Sequence, residues 1–312
     1  MKFFTDYTLV EFPKLGWKFD VYANLCEFTI PGWDIDITIR FYGVIIAFGF
    51  LLAVLFGGRA AYKWKLSLDK MVDVLIWGTI GGIIGARLYY VVFQWDSYKD
   101  NLLSIFKIWE GGLAIYGGII GGLLAAYFVC KKVDLSFVKL LDLTGMSLLI
   151  GQGIGRWGNF TNQEAFGINT TLPWGMTSDK VQAYIEANQY NLSKNGISIV
   201  ATDPVHPTFL YESIWCLFGF LVLFIIYKKY RKFDGQLILG YGVIYGLERF
   251  FVEGLRTDSL YVGDTGIRIS QVLSLLIALS CLALSIAKYA QIYNEKMKHV
   301  KQYKEKQKDE DN

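Results

Sequence analysis

The sequence predicts an all-α polytopic membrane protein of about seven transmembrane helices with a small extracytoplasmic head. Three observations carry that prediction. Hydrophobic residues make up 53% of the 312 and charged residues only 19%, where a soluble domain carries about a quarter charged. Apolar runs recur at close to the ~20 residues that cross a bilayer. The basic residues gather in alternate connections between those runs, as they do when one set of loops faces the cytoplasm.

The chain opens with a segment, residues 1–38, rich in rings: Phe3, Phe4, Tyr7, Phe12, Trp17, Phe19, Tyr22, Phe28 and Trp33. Amphipathic rings favour the headgroup layer, so this segment is expected to lie at the outer interface. Residues 1–22 carry a polar group every few positions and lack the apolar core of a cleavable signal. Crossings are expected at about 39–58, 71–93, 113–130, 137–155, 209–227, 237–255 and 268–287. The sixth is the least apolar, because it carries Glu248, Arg249 and Glu253.

The connections 59–70, 131–136 and 228–236, with the lysine-rich tail 288–312, hold 17 of the 31 basic residues, and Lys139 lies just beyond one of them. The N-terminus is therefore expected outside and the C-terminus in the cytoplasm. The body is then a membrane domain over 39–287, with 156–208 inserted as the outer head. The tail reads as a solvated charge run. GGIIGAR (81–87) and YGGIIGG (116–122) read as small-residue faces that let two helices approach closely.

A net charge of +3 gives no electrostatic case for nucleic acid. Cys26, Cys130, Cys216 and Cys281 are far apart, form no CxxC and stand with only two histidines. They read as small core residues, and no metal, cofactor or disulfide framework is expected.

Ionisable groups inside a span are costly and usually functional. Arg87 is one such group, with pairing to Asp73 or a position near a headgroup as its plainer explanation. The fourth run ends at Arg156, inside GRWGNFTNQEAFG (155–167), which packs Asn159, Asn162, Gln163, Glu164 and Gly167 around it. Tyr245, Arg249, Glu253 and Arg256 recur at helical spacing and share one stripe at about 100° per residue. A guanidinium stays charged and presents a planar fork that matches a phosphate. Arg156 and Arg249 together could grip a phosphodiester, with Asn159 and Asn162 on its oxygens or on glycerol hydroxyls, and Glu164 orienting an arginine.

Several runs, in this order, are similar to the prolipoprotein diacylglyceryl transferase family. They are Arg40-Phe-Tyr42-Gly43, Gly85-Ala-Arg87 with Tyr90, Trp109 to Gly118, Gly155 to Gly167, His206-Pro-Thr-Phe-Leu-Tyr-Glu212, and Tyr245 to Glu253 with Arg256 and Asp258. The resemblance spans nearly the whole chain. It implies transfer of the diacylglyceryl group of phosphatidylglycerol to the lipobox cysteine of a prolipoprotein signal peptide, forming a thioether and releasing glycerol phosphate. It implies that Arg156 and Arg249 are essential, and that Asn159, Glu164, Gly167, Tyr42, Tyr245 and Glu253 line or brace the site.

One position departs from the family. Many members carry a histidine before the Gly-Gly of the third helix, often proposed as a base, and here Tyr116 stands there. A tyrosine with pKa near 10 is a poor base at neutrality. Cations near a thiol lower its pKa, so the expectation is catalysis without a histidine base, with Tyr116 at most orienting a proton path. Two other classes fit parts of the pattern: a transporter of an anionic substrate, and a lipid-binding scaffold without chemistry. Transporters usually bind near the midplane, whereas the densest polar run here follows the fourth crossing.

Overall fold

The computed structural model describes residues 2–30, 35–257 and 268–310; Trp33 and Asp258 lie outside the described residues. The chain forms two compact units, residues 1–54 with 145–312 and residues 55–144. It passes from one to the other within two helices, α1 (Phe41–Lys63) and α4 (Phe137–Asn162).

In the 55–144 unit, α2 (Leu68–Phe93) starts at Ser67, whose side chain accepts a hydrogen bond from the Lys70 N–H at 3.4 Å and so caps the helix. The partner helix is α3 (Ile115–Lys132). The two glycine-rich runs meet backbone to backbone: a Cβ on Gly85 would lie 2.8 Å from the Gly121 Cα and run into the Gly117 carbonyl. They are thus a helix–helix seam. Arg87 is buried on α2 and serves the same unit. Its guanidinium donates to the carbonyls of Ile105 (2.8 Å), Ser104 (2.7 Å) and Gly111 (2.7 Å). Arg87 therefore ties down the connection before α3 through carbonyls rather than by pairing with Asp73. Cys130 packs with Val74 and Leu135 in a small core beneath.

In the other unit the chain begins with strands, which the aromatic pattern did not announce. β1 (Lys2–Phe12) and β2 (Trp17–Ile30) form an antiparallel hairpin. Gly16, at φ +68°, supplies the left-handed step of its turn. With β3 (Ile35–Arg40) and the two-residue β4 (Thr177–Ser178) they make one sheet in the order β3-β2-β1-β4. The inward residues Val10, Phe12 and Val21 pack on Phe166, Met176 and Val181. Val181 belongs to α5 (Asp179–Lys194). Ser178 caps α5 by accepting from the Val181 N–H, and Asp179 complements the helix dipole in the first turn. Residues of the 156–208 segment and the hairpin thus share one core.

Three helices complete this unit: α6 (Thr208–Ile225), extended by a π-helical turn through Tyr230, α7 (Gln236–Glu253) and α8 (Ile269–Glu310). α8 continues unbroken through the lysine-rich tail. A Cβ on Gly246 of α7 would meet the Ser274 carbonyl and lie 2.9 Å from the Ala278 Cβ on α8, so these two helices are also closely packed.

Among the described residues six helices are long and apolar enough to cross a membrane: α1, α2, α3, α4, α6 with its π turn, and α8. They carry large apolar side chains on their outer surfaces, among them Phe48, Phe50, Phe93 and Phe128, as a surface facing lipid does and a water-facing one does not. The sixth expected crossing corresponds to α7, whose 18 residues include Glu248, Arg249 and Glu253.

Candidate functional site

α4 does not stop at residue 155. It runs through Asn162, so Arg156 and Asn159 lie one turn apart on its last turns and not on an exit loop. Beyond the helix Gln163 and Ala165 take left-handed φ of 56° and 57° and turn the chain sharply. Side chains hold that turn. Gln163 donates to the Phe160 carbonyl at 2.6 Å and accepts from the Ser178 hydroxyl at 2.9 Å. Thr208 Oγ1 donates to the Ala165 carbonyl.

Glu164 orients Asn159, not an arginine. Its Oε1 accepts from Asn159 Nδ2 at 2.9 Å, and its backbone N–H donates to the Asn159 carbonyl at 3.1 Å. Asn162 closes α4 and is half-buried. Gly167 N–H donates to the His206 carbonyl at 2.9 Å, and Gly167 bridges Arg256 in an antiparallel pair. A Cβ on Gly167 would sit 2.8 Å from the His206 Cβ and 3.1 Å from the Leu255 carbonyl oxygen, which is why glycine stands there. Tyr42, near the start of α1, lays its ring over Gly158, where a Cβ would come within 2.7 Å of it.

Each arginine is braced by a buried carboxylate. Arg156 Nη2 lies 2.5 Å from Glu212 Oε2; the arginine side chain is 21% exposed and the glutamate 1%. Arg249 Nη2 lies 2.6 Å from Glu253 Oε2, with 20% and 1% exposed. Arg256 Nη1 lies 3.6 Å from the other Glu212 oxygen. Glu248, also buried, sits close to Glu212, Arg156 and Arg249. Two buried carboxylates, Glu212 and Glu253, thus face the three guanidiniums of Arg156, Arg249 and Arg256, since a buried charge needs a partner. The half-open guanidiniums of Arg156 and Arg249 keep further N–H donors, five per side chain in all. Rigid donors of this kind, fixed from behind, suit an anion with several oxygens.

Arg256 reaches this cluster by a route the helical stripe did not foresee. α7 ends at Glu253, and Arg256 is placed by its bridge to Gly167 and by Ile168 N–H donating to the Leu255 carbonyl at 2.9 Å. Arg268 also donates to the Glu253 carbonyl. On α7, Tyr245 stacks on Tyr241 with centroids 5.6 Å apart and planes 8° from parallel. Tyr241 Oη accepts from Gln152 Nε2 at 3.0 Å. Trp157 donates to Ser213 Oγ at 3.1 Å, which aligns α4 with α6 beside the Arg156–Glu212 pair.

The structure therefore brings Arg156, Arg249, Arg256, Asn159, Glu164, Gly167, Tyr245, Glu253 and Tyr42 into one unit. Tyr116, exposed on the first turn of α3, belongs to the 55–144 unit. Sequence reasoning gave no role to Glu212 or Glu248. The available signal was a glutamate in an otherwise apolar run, the rare intramembrane charge that asks for a partner.

His206 sits before α6 with Nδ1 3.0 Å from Tyr211 Oη, and that oxygen accepts from Trp174 Nε1 at 2.8 Å. Burial pushes the His206 imidazole below its ordinary pKa. It links the segment before α6 to Tyr211 and, through that hydroxyl, to Trp174.

A family model described as prolipoprotein diacylglyceryl transferase matches residues 32–287. Among curated relatives, a phosphatidylglycerol–prolipoprotein diacylglyceryl transferase of Finegoldia magna is 42% identical over 265 residues, covering 85% of this chain and 96% of its own. One of the same description from Listeria innocua is 45% identical over 253 residues, covering 80% and 86%. A third, from Clostridioides difficile, is 41% identical over 249 residues, covering 80% and 89%.

Proposed function

The chain belongs to the prolipoprotein diacylglyceryl transferase family, and on that premise we propose how its own residues carry out the transfer. The substrates are phosphatidylglycerol and a prolipoprotein, and the acceptor atom is the thiol sulfur of the lipobox cysteine. The observation that carries the reading is the pair of half-open arginines, Arg156 and Arg249, each backed by a buried carboxylate.

Phosphatidylglycerol enters from the bilayer, and the two arginines hold its phosphate. Asn159, oriented by Glu164, and Asn162 bind glycerol hydroxyls or phosphate oxygens. Arg256, Tyr245, Glu253, Tyr42 and Gly167 brace these groups. The cysteine, as thiolate, attacks the diacylglyceryl carbon that bears the phosphate ester. A carbon–sulfur bond forms and the carbon–oxygen bond breaks. Its electron pair goes to the phosphate oxygen, and glycerol phosphate leaves. The arginines stabilise the charge that builds on the leaving group, which is electrostatic catalysis at a preorganised site. Their positive charge also favours the thiolate, so no histidine base is needed and Tyr116 at most orients the departing proton.

The distribution of basic residues supports an orientation with the N-terminus and head outside and α8 ending in the cytoplasm. Seven crossings follow if α7, with its charges turned to the cluster, spans beside the six apolar helices.

The test is a transfer assay in detergent with phosphatidylglycerol and a lipobox peptide. The expected result is a diacylglyceryl mass gain on the peptide, matched by glycerol phosphate release and absent with a Cys→Ser peptide. No gain under conditions where a Finegoldia magna relative is active would refute the proposal.

A further inference from the structure

The head contains a cavity of about 840 Å³ that the reaction as described does not use. One wall is the hairpin, through Leu15, Trp17 and Phe19; the other is the end of α4 and the start of α6, through Trp157, Phe160 and Phe209. The second wall is rigid: Phe160 and Phe209 lie 4.6 Å apart between centroids, and Trp157 meets Phe209 edge-on at 5.4 Å. The volume is that of a small-molecule site.

The last turns of α4 set this cavity beside the anion site. Arg156 and Asn159 are three residues apart and share one face of the helix; Trp157 and Phe160 are three apart and share the face next to it, about 100° round. A ligand whose anionic group lies on the first face presents whatever is attached to it to the second.

The polar groups of the lining decide what kind of chain fits. Trp157 Nε1 already donates to Ser213 and Trp174 Nε1 to Tyr211. Thr161 Oγ1 donates to the Gly158 carbonyl at 2.8 Å. Asp20, the Tyr22 hydroxyl and the Trp17 indole N–H are what remain of the lining's polar side chains. An extended peptide brings one donor and one acceptor per residue and would leave most of them unmet. A hydrocarbon chain brings none.

We propose that this cavity receives an acyl chain of the donor phospholipid, and that the hairpin sets how long that chain can be. The inference rests on the phosphatidylglycerol reading of the arginine cluster. β1 and β2 lie before the family-matched segment that begins at residue 32.

Leu15 stands in the exposed hairpin turn, outside the catalytic groups, and Leu15→Trp fills the cavity from its hairpin side. The expected result is that kcat/KM falls about tenfold or more with dipalmitoyl phosphatidylglycerol and stays near wild type with dioctanoyl phosphatidylglycerol. Independently, wild-type protein is irradiated with phosphatidylglycerol carrying a diazirine at the end of an acyl chain. Adducts are expected within residues 15–22 and 157–161.

An equal fall with both lipids, or no change with either, overturns the proposal; the rings then serve as an anchor in the headgroup layer. Adducts confined to other segments also overturn it, as does labelling of the cavity by a diazirine lipobox peptide instead of the lipid. Absence of transfer by wild type from either lipid sinks the transferase reading itself. Cavity adducts without transfer leave the acyl site standing and the transferase reading refuted.

Discussion

Replacing Glu212 by glutamine keeps the shape of the side chain and removes the charge that fixes two arginines. Glu212 is fully buried, with one oxygen 2.5 Å from Arg156 and the other 3.6 Å from Arg256. Removing one partner of a buried ion pair costs about 3–5 kcal/mol. Arg156 keeps 21% of its side chain exposed, so water recovers part of the loss, and the Arg256 contact is longer than a hydrogen bond. The lower end, about 3 kcal/mol, is the appropriate figure. If that penalty falls on the placement of Arg156 in the transition state, kcat/KM drops about a hundredfold, at 1.36 kcal/mol per factor of ten. Transfer by Glu212→Gln and Glu212→Asp is measured against wild type, with size-exclusion elution and thermal unfolding as checks on folding. Glu212→Asp keeps the charge on a shorter stem and is expected to fall between the two. A folded Glu212→Gln protein with wild-type kcat/KM would refute the claim that this carboxylate positions Arg156.

Arg249→Lys keeps the charge but loses the planar fork, and is expected to cost at least about tenfold in kcat/KM; tolerance would favour a scaffold that needs only positive charge. Tyr116→Phe is expected to keep near-normal turnover, and a collapse with lipid binding and folding intact would give the hydroxyl a part in proton transfer. Because burial holds the His206 imidazole below its ordinary value, the folded protein resists protonation there. As pH falls through about 6.5 the unfolded chain binds a proton that the folded chain does not, so stability declines; above that pH this contribution is flat. The thermal midpoint of wild type should therefore fall between about pH 7 and pH 5 more steeply than that of His206→Gln, and equal slopes would contradict this.

The helices were legible because a bilayer imposes a length and a composition on each crossing, and both can be counted along the chain. The arginine site was legible in part. Arg156 and Asn159 lie within one short run, and Arg249 and Glu253 are a helical turn apart. Glu212 was not, because its partners are 56 and 44 residues away in sequence and no local period links them. Arg256 was expected on a continued helix, but a bridge to Gly167 places it. The hairpin was missed because rings suit both a pleated half-buried surface and the headgroup layer. Its turn, Pro13 to Gly16, was the better signal, since proline and glycine so close together mark a chain reversal. Arg87 is the converse case: its guanidinium serves as a clamp on backbone carbonyls, which no local pattern announces.

The measurement that bears most directly on the proposed mechanism is transfer by Arg156→Ala and by Arg249→Ala, each assayed for glycerol phosphate release and for lipidated peptide. The account predicts that both products disappear together in each variant while the proteins elute and melt as folded species. Wild-type rates of release and lipidation in either folded variant would contradict the assignment of the phosphate to these two arginines.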